Sequence, residues 1–335
     1  MILDRRRALA GLTFGLVASP VLGFPTSAQT SEAVINVLDF GAKGDGTTDD
    51  SAAVSEALRG KFRRLYFPAG SYVLSNVVLS LKDVTIDASD AELVNIGNGT
   101  PLFRVPKDAR LVRSGIHVGE YRDEMQSGYF LDISGGLVSD CRIVLDKVRI
   151  TSSVGGVIRH HSQQSKREFT EGLYFTNITG HRWDHVAETP GTPMIDVSSS
   201  FNSFSACNIS VRDVRLLSET IFAKAVCSSL RGASFSQIKL HDISVEKCDF
   251  GFVHFEGARM CGLVNVGMFD LKDVSNPLIV FKHANFRRNT QGCYCRDIHR
   301  TSARFVDDGC DLMYDDGVLE VSNYLAIGGL VTKGT

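Results

Sequence analysis

The feature that most constrains this chain is a block that recurs six times from Ile143 onward. The first apolar residue of each block is Ile143, Leu173, Ile209, Ile238, Val264 and Cys293, at intervals of 30, 36, 29, 26 and 29 residues. Two positions on stand Leu145, Phe175, Val211, Leu240, Val266 and Cys295; five positions on stand Val148, Ile178, Val214, Ile243, Phe269 and Ile298. A step of two keeps side chains on one face of a strand. A step of three reverses the face unless the chain bends in between. The turn-forming residues Asn177, Asp213, Asp242 and Asp297 sit at the fourth position, where that bend is needed. Each block therefore reads as strand, corner, strand. Blocks of this length with little helical patterning predict an all-β solenoid, a parallel β-helix whose coils pair with their neighbours.

Upstream of the blocks the pattern changes. Ile35–Phe40 reads as a short strand, residues 41–46 as a Gly-rich loop, and Ser51 to Leu58 as an amphipathic helix with N-cap candidates in Thr47–Asp50. The Gly-rich loop lacks the Gly-Lys-Ser/Thr of a phosphate cradle, so it reads as a turn before that helix. Leu65–Leu74 follows as strand, turn, strand. A solenoid needs its open end covered, and a short helix is expected to cap it. Residues 29–75 are thus expected to form the N-terminal cap and first coil, and 76–335 the remaining coils of a single domain.

Residues 1–28 read differently again. Arg5, Arg6 and Arg7 precede an apolar run from Ala8 to Phe24, broken by Gly11, Gly15 and Pro20, and Thr26-Ser27-Ala28 offers a cleavage site. This is the pattern of an export signal of the twin-arginine type, too interrupted for a membrane span. The expectation is a periplasmic or extracellular protein with no membrane attachment once the signal is removed. The formal net charge is −2, from 36 basic and 38 acidic residues, which argues against a nucleic-acid partner. All eight Cys lie at or after Cys141, and several fall on apolar positions of the repeat, so they read as buried, apolar-like side chains.

The string NVLDFGAKGDGTTDDSAAVSEAL (Asn36–Leu58), followed by LYFPAGSYVL (Leu65–Leu74), resembles the N-terminal signature of the pectate-lyase-like superfamily. That group of right-handed parallel β-helices includes polygalacturonase-like hydrolases, polysaccharide lyases and phage tailspikes. The resemblance implies a secreted protein whose lateral groove binds a polysaccharide. The Asn-Thr-Asp, Gly-His-Gly and Arg-Ile-Lys strings of polygalacturonases are absent, so no catalytic residue is carried over from them.

The chemistry-bearing residues concentrate around the longest interval. Arg159-His160-His161 closes a strand, and His181–Pro190 carries Arg182, Trp183 (the only Trp), Asp184, His185 and Glu188. Loops standing off a rigid scaffold are where function concentrates. Trp183 offers a platform for a sugar ring, and Arg159 and Arg182 suit a sugar carboxylate. Adjacent coils lie about 4.8 Å apart, so these segments are expected to share one site, with Lys224 extending it. A lyase would use His161, His185 or Lys224 as base and Arg159 or Arg182 as neutraliser. A glycosidase would use a carboxylate pair such as Asp184 and Glu188, with Asp196 in reserve. His254 and Glu256 share the face opposite Val253 and Phe255, with Lys282 one coil on beside Glu256. That patch reads as a ladder ion pair or a further subsite, about three coils from Arg159.

No cofactor is implied. Calcium would need converging oxygen ligands, and Asp307, Asp308, Asp311, Asp315 and Asp316 read instead as polar turns near the C-terminal end. The expected partner is a polysaccharide, with the oligomeric state open between monomer and trimer. The expected activity is cleavage of an acidic polysaccharide by β-elimination, with glycoside hydrolysis as the alternative and a non-catalytic glycan-binding protein as the third reading. An epimerase would share the lyase's proton abstraction.

Overall fold

The computed structural model describes residues 33–97, 99–123, 128–150 and 156–160 with their side chains. Beyond these it describes strand backbones as far as Tyr324, with side chains at 195–196, 239–242 and 262–264. The described residues lie in one compact unit, Glu32–Thr335. The expected signal, residues 1–28, lies outside the described residues.

The fold is a parallel β-solenoid. Among the described residues the strands form two sheets, one of nineteen strands and one of ten. Each strand pairs in parallel with its counterpart one coil before and one coil after, which is what the repeat requires. In the nineteen-stranded sheet the register joins Leu65, Ile86, Ile116, Ile143, Phe175, Val211, Leu240, Leu263 and Cys295 in a single column. In the ten-stranded sheet it joins Phe103, Leu131, Ile158, Ile195, Ala223, Val253, Ile279 and Phe305. Wherever their side chains are described, the members of both columns are buried. Fully burying each Ile, Leu or Phe contributes roughly 1.5–3 kcal/mol. Between the sheets, Phe130 meets Phe103 and Tyr121 edge-on, with ring centroids 5.4 and 5.1 Å apart. Cys141, too, is buried and behaves as an apolar residue: its thiol donates to the Leu111 carbonyl at 3.1 Å, and burial pushes its pKa up to about 11.

The stacking starts earlier than the six blocks suggested, and its register differs from the expected one in three of the five intervals, the last of them pairing Val266 with Ile298 rather than Cys295. Ile143 pairs with Phe175, while Leu173 faces Cys141. This is a slip of two, which a period-two pattern cannot detect because every side chain keeps its face. Leu240 pairs with Leu263, and Ile243 with Val266. That slip of three equals the step across the corner, so apolar again meets apolar. The corner itself is confirmed at Asp242, whose φ of 55° is left-handed, a conformation that Asp tolerates better than most residues.

At the N-terminal end the expected strand is shorter. Val34–Asn36 is a strand, but Val37–Phe40 is a 3₁₀ turn. Asn36 accepts from the Leu38 amide at 3.0 Å, and Gly41, at φ 93°, ends the turn. These two local devices override the strand propensity of Val37 and Phe40. The helix forms at Ser51–Ala57, close to the expected span. Asp50 precedes it without capping it. Its buried carboxylate instead accepts from the Lys43 and Gly44 amides at 2.6 and 3.1 Å and so closes the Gly-rich loop.

Candidate functional site

The outer face of the ten-stranded sheet carries a column of ionisable residues. Arg104, Asp132, Arg159, Asp196, Lys224 and His254 occupy one register position on six successive strands. They alternate with inward columns of apolar residues, as period two demands. Neighbouring members therefore stand about 4.8 Å apart along the solenoid.

The best-defined pair is Asp132 with Arg159. The Arg159 Nε donates to Asp132 Oδ2 at 2.9 Å, and a terminal nitrogen of the same guanidinium donates to the same oxygen. The guanidinium also lies over the Tyr129 ring, 5.1 Å from its centroid. Asp132 is almost fully buried, and Arg159 is one-third exposed. Arg159 is thus held by a carboxylate and an aromatic face rather than presented as an open clamp.

The other expected residues sort as follows. Lys224 does extend the column, next to Asp196, and His254 follows it three coils on from Arg159. Glu256 and Lys282 stand opposite each other, as the spacing predicted. His161 lies on the strand Gly156–Ser162 opposite Ser198. His160, its neighbour, is fully buried in an inward column between Ile133 and Val197. Arg182 stands opposite Ile150, in the nineteen-stranded sheet, so the residue flanking Arg159 on the next coil is Asp196. For Arg182 alone the expected position beside Arg159 does not hold, because residue counts do not reveal on which sheet a residue lands. Trp183, Asp184, His185 and Glu188 lie outside the described residues, as do Asp308, Asp315 and Asp316.

Residues 34–126 match the family model described as rhamnogalacturonase A/epimerase, pectate lyase-like. The matched segment takes in the N-terminal end and first coils of the parallel β-solenoid. No curated protein sequence matches it. Its structure is similar to ORF18 of Geobacillus virus E2, at 16% identity and TM-score 0.38, covering 74% of this chain and 61% of that one. The chain therefore spans less than two thirds of the length of that relative. It is also similar to endo-xylogalacturonan hydrolase from Aspergillus tubingensis, at 14% identity and TM-score 0.39, with 88% and 100% covered. A third likeness is to the Family 28 exopolygalacturonase of Yersinia enterocolitica, at 12% identity and TM-score 0.37, with 88% and 77% covered.

The solenoid also carries polar groups that the sequence alone did not single out. Asp132 is one, because its coil precedes the first recognised block. His117 is another: its Nε2 and Asp146 Oδ2 lie 2.8 Å apart on the nineteen-stranded sheet, both part-exposed. On the same sheet Glu92 bonds Arg122 at 2.9 Å, and Glu120 receives Lys147 at 2.8 Å and Arg149 at 3.0 Å. Such inter-coil pairs are visible only once the register is known. Among the described residues no group of three or more His, Cys, Asp or Glu is arranged to hold a metal ion.

Proposed function

We propose that this chain acts on an acidic polysaccharide laid along the solenoid, across the ionisable column of the ten-stranded sheet. The observation that carries the reading is the column itself, one ionisable residue on each of six successive strands. A polymer running parallel to the axis meets these groups one after another. The matched family, described as rhamnogalacturonase A/epimerase, pectate lyase-like, supports the same substrate class. Export through the signal-like residues 1–28 belongs to this reading.

β-Elimination is the first mechanism. A base, from His161, His185 or Lys224, removes the proton on the carbon that bears the sugar carboxylate. The electron pair forms a carbon–carbon double bond, the glycosidic C–O bond breaks, and the departing oxygen takes a proton. Where His161 or His185 is the base, Lys224 is the cation of the column that stabilises the charge building on the carboxylate, since Arg159 is already held by Asp132. Hydrolysis is the second mechanism, favoured by Asp132 and Asp196 flanking Arg159 two inter-strand steps apart. Two steps of about 4.8 Å place their backbones near the upper end of the separation used by inverting carboxylate pairs.

The test follows ultraviolet absorbance and reducing ends together, with polygalacturonate, rhamnogalacturonan and a neutral glucan as substrates. Both signals rising on the acidic substrates support elimination, and replacing both His161 and His185 by Ala should then abolish turnover. Reducing ends rising alone support hydrolysis and predict that Asp196→Asn is inactive. Neither signal on any substrate would remove the enzymatic reading and leave a glycan-binding protein.

A further inference from the structure

We propose that the outer face of the nineteen-stranded sheet is a second binding surface, one that takes a carboxylate-bearing polyanionic polysaccharide along the solenoid axis. Two register columns flank the buried column Leu65–Ile86–Ile116–Ile143 and its continuation, so by period two they share the outer face. One runs Arg64, Thr85, Gly115, Arg142, Tyr174, Ser210, Lys239, Gly262, Tyr294. The other runs Tyr66, Asp87, His117, Val144, Thr176, Arg212, His241, Val264, Arg296.

The two columns contain five permanent cations and one carboxylate. That carboxylate, Asp87, is already bonded to Arg64. The other cations have no acid beside them in register. Arg142 stands between Gly115 and Tyr174, and Arg212 between Thr176 and His241. Lys239 stands between Ser210 and Gly262, and Arg296 opposite Val264. Of the nearby acids among the described residues, Asp140, two residues before Arg142, acts on Arg113, and Asp146 lies at the corner beyond the column and bonds His117. Like charges repeated along a rigid face repel, and an anionic ligand relieves that repulsion.

Shape supports a chain-like ligand. Eight inter-strand steps separate Arg64 from Arg296, roughly 38 Å at about 4.8 Å each. At Gly115 an added Cβ would meet nothing nearer than Thr85 at 3.7 Å, so the face beside the exposed Arg142 is open. Tyr66, Tyr174 and Tyr294 recur along the same stripe, and aromatic rings suit the C–H faces of sugars. The recurrence of tyrosines along the stripe favours a polysaccharide, and single-stranded DNA of matched charge enters the test as the competing polyanion. This surface lies on a different sheet from the ionisable column and does not depend on the role assigned there.

The test measures binding, not turnover. Polygalacturonate is titrated into the full chain at low salt, alongside Arg142→Gln, the double variant Arg142→Gln/Lys239→Gln, and Lys82→Gln as an exposed cation outside the stripe. Arg159→Gln reports on the other sheet. The double variant should bind about tenfold more weakly and show a shallower salt dependence, with Lys82→Gln within twofold of the parent. The proposal is overturned if the double variant binds like the parent. It is overturned equally if only Arg159→Gln weakens binding, if the parent binds no polygalacturonate, or if it prefers single-stranded DNA of matched charge. Both substituted positions are on the outer face, and unchanged circular dichroism would separate lost binding from lost fold.

Discussion

Two outer faces of one solenoid use the same strand spacing to opposite ends. On the ten-stranded sheet, base and acid alternate through Arg104, Asp132, Arg159, Asp196 and Lys224. Arg159 is satisfied from within, by Asp132 and the Tyr129 ring. On the nineteen-stranded sheet, cations recur at Arg142, Arg212, Lys239 and Arg296 with neutral residues or histidine beside them. The backbone frame treats both columns alike, since each places one residue per coil at a fixed height. What differs is whether the neighbour one coil away carries the opposite charge. Alternation makes a column self-sufficient and supplies carboxylates for chemistry. Repetition leaves charge to be met by something outside the protein.

The comparison breaks most completely where both faces lose their common frame. A Cβ at Gly119 would overlap the Ser89 carbonyl oxygen on the neighbouring coil and crowd Ala91 O at 3.2 Å. These are backbone atoms that cannot move independently of the sheet. Gly119→Ala should therefore cost more than about 2 kcal/mol, seen as a lower denaturation midpoint. A midpoint like the parent's would mean that adjacent coils separate more easily than the stacking implies, and would loosen every register argument made for the two faces.

The next contrast concerns one face only. Asp132→Ala leaves a guanidinium, two-thirds covered, without its carboxylate. The cost should be about 2 kcal/mol, below that of a fully buried pair because Arg159 reaches water. On the other face, Arg142→Gln removes a cation with no acid in register and should change stability by less than about 0.5 kcal/mol. Thermal denaturation of the two variants side by side measures the difference. Equal losses would show that the stripe is internally compensated after all, and would remove the reason to expect an external anion.

Much of this was legible in the sequence, and the rest failed for identifiable reasons. The solenoid followed from apolar residues at steps of two and three, because those steps have only one strand–corner–strand solution. The pairing of Glu256 with Lys282, and the distance of His254 from Arg159, followed from the same spacing. Absolute register did not, because slips of two or three still place apolar on apolar, as Leu173 and Val266 did. Asp132 was missed because its coil lacks the recognised block. Arg182 was assigned beside Arg159 because sequence distance does not say which sheet receives a residue. The stripe could not be read at all, since its members are about thirty residues apart and only correct register aligns them.

The smallest effect sharpens where the uncompensated part of the stripe begins. Burial works against ionisation of Asp87, but hydrogen bonds from Ser89 and Arg64 outweigh it and hold its carboxyl below the ordinary range. A carboxyl lowered in the folded state stabilises the fold above its unfolded value, near pH 4. That contribution is lost as pH falls further, through the folded value. The stability difference between the parent and Asp87→Asn should accordingly be constant from neutral pH down to about pH 4 and shrink below it. Its size should stay under about 1 kcal/mol, because Arg64 is nearly half exposed and water screens the pair. Denaturation midpoints of both proteins across that range give the difference directly. A shrinking difference identifies Arg64 as a cation already neutralised, so that the charge open to a ligand starts at Arg142. A difference independent of pH would mean that Arg64 is not committed to Asp87, and would extend the open stripe by three coils towards the N-terminal end.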